Sequence, residues 1–170
     1  VTDENGCTAT DQVTITQPSA ALTASAIPAS STCGNANGSV NLTVTGGTAS
    51  YSFVWSNSAS TEDLTNVPAG LYSVTVTDGN GCTATASATV NDIGGPAASI
   101  TAQTNVLCFG NATGSATVTV TGGTPDYTYL WDDLAAQTTA TANNLAAGSY
   151  NVTVTDGNGC NATDQVTITQ

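Results

Sequence analysis

The chain repeats itself, and this internal repeat restricts the architecture more than any other feature of the sequence. Two separate segments recur with nearly the same letters, one after 76 residues and the other after 78. The matched segments are 46–55 (GGTASYSFVW) with 122–131 (GGTPDYTYLW), and 69–82 (AGLYSVTVTDGNGC) with 147–160 (AGSYNVTVTDGNGC). Self-similarity at a fixed spacing indicates tandem structural units. We therefore predict two copies of one module, over residues 18–95 and 96–170.

The first 17 residues repeat the last 17. Residues 1–17 agree with residues 154–170 at 15 of 17 positions, which gives a higher-order period of 153 residues. We predict that residues 1–17 are the terminal strand of a preceding, incomplete repeat, and that the sequence was cut from a longer tandem array. Donation of this strand to a neighbouring subunit is the alternative. We disfavour it because the second module already carries its own final strand.

Strict alternation of apolar and polar residues identifies the secondary structure. Residues 40–45 (VNLTVT) and 72–77 (YSVTVT) alternate at every position, and 116–121 and 150–155 repeat both patterns in the second module. A period of two places one set of side chains on a core face and the other in water, as in a strand. Turn residues separate these runs at intervals typical of a sandwich of short strands. We predict an all-β fold of tandem immunoglobulin-like β-sandwich modules, about seven strands each, arranged head to tail.

The charge of the chain excludes several classes of function. Twelve acidic residues stand against no Lys, Arg or His, for a formal net charge of −12. A nucleic-acid binder needs cations that displace phosphate counterions, and an anionic membrane surface would repel this chain. Without His the chain also lacks the usual general base at neutral pH. We expect no nucleic-acid partner, no direct binding to anionic membranes and no enzyme activity.

The order of motifs in each module resembles a known family. Each module reads Cys, a Gly-rich stretch, Gly-Gly-Thr, Tyr-x-x-x-Trp and then Ala-Gly-x-Tyr-x-Val-Thr-Val-Thr-Asp-x-Asn-Gly-Cys. This order is similar to the SprB repeat of long surface adhesins in gliding Bacteroidetes, although Ala49 and Ser50 stand where Pro-Asp-like residues are usual. The resemblance implies a bacterial cell-surface protein, type IX secretion, a connection with gliding motility, and neighbouring repeats of the same array or filament as partners. It does not imply one binding specificity, and it leaves a surface receptor or polysaccharide undefined.

The five cysteines occupy equivalent places in the repeats. Each complete module has one Cys before its second strand and one after the Asp-Gly-Asn-Gly turn. We predict the disulfides Cys33–Cys82 and Cys108–Cys160, each within one module, which implies an oxidising, extracytoplasmic setting. Cys7 is then unpaired within this chain. A reactive thiol or an inter-chain bridge at Cys7 is the alternative.

The Asp-Gly-Asn-Gly segments have two interpretations. Asp-Gly and Asn-Gly supply the positive φ angles of tight hairpin turns, and this is the interpretation that we favour. Alternating oxygen donors relieved by glycine would also suit weak calcium binding. The candidate calcium ligands are Asp78, Asn80, Asp156 and Asn158. We otherwise expect no cofactor.

The aromatic residues also have two interpretations. A row of rings on one strand face could form a sugar-binding platform, but in a sandwich with little else to bury it more often forms the core. We assign Trp55, Trp131, Tyr72 and Tyr150 to the core. The two tyrosines follow Ala-Gly, in a position like that of a tyrosine corner, where the hydroxyl bonds back to the chain.

The sequence supports a structural function. We expect a stalk or filament segment of a long, repetitive, secreted bacterial cell-surface adhesin, and therefore an extracellular location. Ligand-binding or carbohydrate-binding accessory modules of a secreted protein are the alternative. Because Pro fixes φ and Gly-Gly permits bending, the joint at residues 16–19 should be stiff and the joint at residues 90–96 softer.

Overall fold

The regular secondary structure of the described residues is all β. A computed structural model describes residues 1–15, 17 and 19–170, and these contain 14 strands and no helix, which confirms the all-β prediction. None of the described elements is therefore a helix long and apolar enough to cross a membrane. The strands are β1 (Thr23–Ala29), β2 (Ser31–Thr32), β3 (Gly38–Thr45), β4 (Ser52–Trp55), β5 (Leu64–Val67), β6 (Gly70–Thr77), β7 (Thr83–Val90), β8 (Asp92–Ile93), β9 (Pro96–Thr104), β10 (Gly114–Gly122), β11 (Thr128–Trp131), β12 (Thr141–Leu145), β13 (Gly148–Thr155) and β14 (Asn161–Ile168).

Each half of the chain forms a sandwich of two three-stranded antiparallel sheets. In the first half the sheets have the orders β1-β3-β5 and β4-β6-β7, and in the second half β9-β10-β12 and β11-β13-β14. We call these halves module 1 and module 2. Six strands build each sandwich, one fewer than the predicted seven, because the polar segments 56–63 and 132–140 form turns and irregular structure.

Alternation along the strands decides which side chains enter the core. In β6 the side chains of Tyr72, Val74 and Val76 are buried, while Ser73 and Thr75 between them are exposed. The β-branched valines pack well on a pleated surface, and the polar residues suit its wet face. The most deeply buried large side chains of the two cores are Val40, Trp55, Leu64, Val74, Val76 and Val90 in module 1, and Trp131, Leu145, Val152, Val154 and Ile168 in module 2.

Each module has two distinct ends. The "turn end" holds the Asp-Gly-Asn-Gly turn, where the chain passes from β6 to β7 in module 1 and from β13 to β14 in module 2. The "base end" is opposite, where β3 and β6 of module 1, or β10 and β13 of module 2, begin. Eight residues of β6 separate the two ends, which at about 3.3 Å per residue is roughly 25 Å.

The base end of module 1 continues directly into the turn end of module 2. The short strands β2 and β8 pair in parallel there, Ser31 with Asp92 and Thr32 with Ile93. Only Gly94 and Gly95 then separate β8 from β9. The linker is therefore two residues long.

The segment before module 1 belongs to none of the sheets. Residues 1–15 are exposed and contain one isolated antiparallel bridge, between Thr2 and Thr8. The joint that we expect to be stiff includes Thr16 and Pro18, which lie outside the described residues.

Candidate functional site: the junction between the modules

A disulfide crosses the junction between the modules. Cys33 of module 1 is bonded to Cys160 of module 2, at a sequence separation of 127. Cys7, Cys82 and Cys108 are free and exposed. The predicted pairs Cys33–Cys82 and Cys108–Cys160 were therefore wrong.

The direction of the strands explains why the predicted pairs do not form. Cys33 precedes β3 at the base end, whereas Cys82 follows β6 at the turn end of the same module. Both strands run from the base end to the turn end, so the two sulfurs lie a strand length apart. A disulfide needs Cα atoms within about 7 Å of each other. The same geometry separates Cys108 from Cys160, while the end-to-end junction brings the Cα atoms of Cys33 and Cys160 to 5.3 Å.

The Asp156 carboxylate holds the Cys160 side of the junction. Its Oδ1 accepts hydrogen bonds from the backbone N–H groups of Asn158, at 3.0 Å, and Cys160, at 2.8 Å. Its Oδ2 accepts one from the N–H of Thr124, at 2.9 Å. These bonds, that from Thr124 first, outweigh burial and lower the pKa of Asp156. The turn that carries Cys160 is therefore held by a buried carboxylate that accepts three backbone hydrogen bonds. Cys160 itself is 3% exposed.

Two short strands hold the Cys33 side. The N–H of Cys33 donates to the carbonyl of Ile93 at 3.0 Å, and the N–H of Gly34 donates to Asp92 Oδ1 at 3.1 Å. The hydroxyl of Ser31, which is fully buried, also donates to Asp92 Oδ1, at 3.0 Å. Cys33 has a φ of 58°, a left-handed conformation that is uncommon outside glycine. These hydrogen bonds hold the backbone around Cys33 in addition to the disulfide.

The two linker glycines have different surroundings. A Cβ at Gly95 would lie 3.0 Å from Cys160 Cβ, whereas a Cβ at Gly94 would meet nothing within 4 Å. The second linker glycine thus lets the backbone pass close to the disulfide. The joint at residues 90–96, which we expect to be the softer one, thus lies next to the Cys33–Cys160 disulfide.

The candidate calcium ligands all have hydrogen-bonding roles inside the turns. Asp78 repeats the bonds of Asp156, to the N–H groups of Thr48, Asn80 and Cys82 at 2.9, 3.0 and 2.8 Å. The Asn80 and Asn158 side-chain amides donate to Thr48 Oγ1 and Thr124 Oγ1, at 2.8 and 2.7 Å. Among the described residues, no three His, Cys, Asp or Glu side chains are grouped to hold a metal. Calcium binding stays a prediction.

The aromatic residues assigned to the core contact the interior to different degrees. Trp55, Trp131 and Tyr72 are buried, and Tyr150 is partly buried against the core of module 2. The indole N–H groups donate to the carbonyls of Thr61 and Thr139, at 2.8 and 2.9 Å. The hydroxyls of Tyr72 and Tyr150 donate to the carbonyls four residues earlier, of Pro68 at 2.9 Å and Ala146 at 3.1 Å.

An open groove on module 2 is a second candidate site. It has a volume of about 580 Å³ and lies beside the turn 132–140. Leu134 on its rim is fully exposed. Asp133 in its wall accepts hydrogen bonds from the N–H and the side-chain amide of Gln137, at 2.9 and 3.0 Å. Burial raises the pKa of Asp133, but these bonds outweigh it and the pKa is lowered.

Comparison with known proteins finds a family model that matches part of each module. Residues 25–60 and 100–136, one segment in each module, match the family model of the SprB repeat. Each module carries an SprB repeat match. These two matches confirm the resemblance inferred from the sequence, and the SprB repeat is associated with surface proteins. A search of curated proteins finds no match.

Solved multidomain structures align with this chain at low sequence identity. The three N-terminal domains of the Highly Immunogenic Outer Capsid protein (Hoc) of bacteriophage RB49 align with a TM-score of 0.54 and 19% identity, over 87% of this chain and 59% of that one. The N-terminal eight immunoglobulin domains of Down Syndrome Cell Adhesion Molecule align with a TM-score of 0.45 and 16% identity, over 88% of this chain and 23% of that one. The chain thus spans less than two thirds of either. At 19% identity the likeness to Hoc concerns the fold alone. The two three-stranded sheets of each module agree with the immunoglobulin-like β-sandwich prediction.

Proposed function

We propose that the chain is a stalk or filament segment of a long, repetitive, secreted cell-surface adhesin, without enzyme activity. The observation that carries this proposal is the covalent link between the base end of module 1 and the turn end of module 2. A disulfide is typical of extracellular proteins. Type IX secretion to the surface of a gliding bacterium belongs to the same proposal and rests on the SprB repeat matches.

A stalk must transmit tension, and the disulfide shortens the covalent path along which tension travels. A force applied at residues 1 and 170 passes from the N-terminal segment to Cys33, crosses to Cys160, and leaves through β14. The stretch between the two cysteines, which are 127 positions apart in sequence, is bypassed. Most of both modules is therefore protected from extension while the bond is intact.

Single-molecule force spectroscopy on the full chain tests this behaviour. We expect the oxidised chain to release about 450 Å less contour length than the Cys33→Ser/Cys160→Ser double variant, at about 3.6 Å per bypassed residue. Cys82→Ser is the matched control, because Cys82 is free, and its extension should equal that of the wild type. Equal extension of the wild type and the double variant would contradict a tension-bearing junction.

Small-angle X-ray scattering tests the shape that a stalk requires. We expect an elongated particle of two modules end to end, with a narrower distribution of shapes for the wild type than for the double variant. Two modules folded back side by side would contradict the stalk and leave the binding-module alternative in its place.

The groove beside residues 132–140 favours a second candidate function, a ligand-binding or carbohydrate-binding accessory module. The segment 132–146, which includes this stretch, is longer by two residues than its counterpart 56–68 in module 1, which is why the repeat offset changes from 76 to 78. A glycan array tests the alternative. Binding that Leu134→Ser abolishes would support it, and no binding to any glycan would argue against it.

A further inference from the structure

The two outer ends of the chain carry the same parts as the internal junction. Cys82 is exposed at the turn end of module 1, in the place that Cys160 occupies in module 2. Cys108 is exposed at the base end of module 2, in the place that Cys33 occupies in module 1. The chain therefore presents one unpaired copy of each half of the Cys33–Cys160 disulfide.

The local geometry around Cys82 reproduces that around Cys160. The N–H of each cysteine donates to the Asp four residues earlier at 2.8 Å, and each carbonyl accepts from the N–H of that Asp, at 2.9 Å for Cys82 and 3.0 Å for Cys160. The turn is thus preformed whether or not the cysteine is bonded. What differs is burial, because the base end of another module covers only Cys160.

The segment around Cys108 shares part of the hydrogen bonding found around Cys33. The N–H of Ser31 donates to the carbonyl of Asn91, and that of Val106 to the carbonyl of Thr169, at 2.8 and 2.9 Å. The N–H of Gly34 bonds to the side chain of Asp92, and that of Gly110 to the side chain of Gln170, at 3.1 and 3.4 Å. The first bond is equivalent in the two modules, whereas Gly34 directly follows Cys33 and Gly110 lies two residues after Cys108.

One outer end carries exposed apolar side chains and the other carries an open groove. At the base end of module 2, Leu107 and Phe109 flank Cys108 with apolar side chains that are 86% and 90% exposed. At the turn end of module 1, an open groove of about 410 Å³ lies beside Cys82, lined in part by Leu22 and Gly47. Exposed large apolar side chains next to a free thiol favour an interface between proteins.

We propose that Cys108 forms a disulfide with Cys82 of the next repeat pair, so that a disulfide links the modules at every junction of the array. We call this Cys108–Cys82 bond the latch. Phe109 enters the groove beside that Cys82. The inference deepens the proposed stalk function and rests on it, because it requires repeats in tandem. The partner is a further copy of these modules. The reaction joins the two sulfurs, releases their two protons and transfers two electrons to an oxidised disulfide such as oxidised glutathione, which becomes two thiols.

A tandem protein tests the latch directly. The full chain is followed by residues 18–170 of a second copy, so that Gln170 precedes Pro18 as Gln17 does in the chain itself. The second copy carries Thr83→Ser and Thr101→Ser at two exposed positions, so that its Cys82 and Cys108 peptides differ in mass from those of the first copy. The protein is oxidised with a glutathione buffer, free thiols are alkylated, and the bonds are mapped by mass spectrometry after digestion with a protease specific for acidic residues. The chain contains no Lys or Arg for trypsin.

We expect three disulfides in the tandem protein: Cys33–Cys160 in each copy, and Cys108 of the first copy with Cys82 of the second. Alkylation of that Cys82 should fall on the order of tenfold relative to Cys82 of the first copy, because docking raises the effective concentration of the two thiols. Full alkylation of both Cys108 of the first copy and Cys82 of the second would overturn the proposal. So would pairing within a module.

Two variants of the first copy test whether the Cys108–Cys82 bond can be changed without affecting the rest of the structure. Cys108→Ser should free Cys82 of the second copy and leave both Cys33–Cys160 bonds intact. Phe109→Ser should slow formation of the Cys108–Cys82 bond without affecting Cys33–Cys160. Formation at an unchanged rate would remove Phe109 from the interface.

Scattering from the same tandem protein distinguishes the two proposals. An elongated particle in which Cys108 and Cys82 stay free would overturn the latch and leave the stalk standing. A particle folded back on itself would overturn the stalk, whatever the thiols do.

Discussion

The two Asp-Gly-Asn-Gly-Cys turns have the same sequence and the same hydrogen bonds, but their cysteines differ in state. Cys82 is an exposed thiol, and Cys160 is buried in a disulfide. Asp78 and Asp156 make equivalent bonds, to within 0.1 Å, with their own turns. The turn therefore does not choose the partner of its cysteine. The neighbouring module does.

The comparison also shows what a module supplies to its neighbour. A base end brings Cys33 on a backbone held by β2 and β8, and a turn end brings a cysteine held by a buried carboxylate. The cysteines at the two ends of one module cannot bond to each other, since a strand length separates them. The disulfide is a property of the pair of modules.

The largest effect is expected from removing a core side chain of module 2, the module whose turn carries Cys160. Trp131 is 1% exposed, and Trp131→Ala should lower the free energy of unfolding of module 2 by about 3–5 kcal/mol. Urea denaturation measures this loss. The Cys33–Cys160 bond should also become easier to reduce, because its Cys160 side loses the support of the folded module.

Trp55→Ala is the matched control for that variant. Trp55 is 2% exposed and lies in module 1, so its loss should destabilise that module by a similar amount. Alkylation of Cys82 should hardly change, because this thiol is already exposed. If Trp131→Ala cost less than about 1 kcal/mol, the core assignment of this indole would be wrong.

A smaller effect is expected from crowding the junction itself. Gly95→Ala places a methyl group 3.0 Å from Cys160 Cβ, and it should weaken the disulfide by roughly 1 kcal/mol, or about fivefold in its equilibrium with glutathione. Gly94→Ala is the control, because nothing lies within 4 Å of its Cβ. Equal redox equilibria for the two variants would show that the backbone does not pass this close to the bond.

The smallest effect concerns pH, and it should be the same for the two turns. Backbone hydrogen bonds, that from Thr48 first, hold the pKa of Asp78 below 3.8, and the bond from Thr124 does the same for Asp156. A lowered pKa in the folded state stabilises the protein above the ordinary pKa, and this contribution is lost as the pH falls through the folded value. Stability should therefore decline below about pH 4.

Single substitutions show whether the two carboxylates cause that decline. Asp78→Asn and Asp156→Asn should each lower stability at pH 7 and make the loss of stability below pH 4 shallower, as measured by thermal unfolding across pH. Asp126→Asn is the control, because Asp126 is exposed and its φ of 79° suits asparagine. An unchanged pH profile in both turn variants would contradict this assignment.

Local features of the fold followed from the sequence. Alternation in residues 72–77 placed Tyr72, Val74 and Val76 on the core face, because the side-chain period of a strand is two. The motif order resembled the SprB repeat, and the family-model matches at residues 25–60 and 100–136 agree with that resemblance. The Asp-Gly-Asn-Gly segments form turns with left-handed glycines, Gly81 and Gly159, as favoured.

The candidate site followed only in part. From the sequence we predicted disulfides for all four cysteines of the complete modules. We paired Cys33 with Cys82 because both belong to one repeat. Counting strands shows the error: β3 and β6 run in the same direction, so a residue before one and a residue after the other lie at opposite ends. That signal was present in the sequence, but it needed the topology of the two sheets to be read. The groove beside Leu134 gave no signal except a two-residue change in spacing.

The sequence by itself determined the repeat, the all-β composition of each module and the turns that carry the cysteines. These properties depend on side-chain periodicity and on local φ preferences, which act over a few residues. Only the tertiary structure decided that Cys33 bonds to Cys160, 127 residues away. A disulfide depends on which ends of which strands meet in space, and neighbours along the repeat do not supply that information.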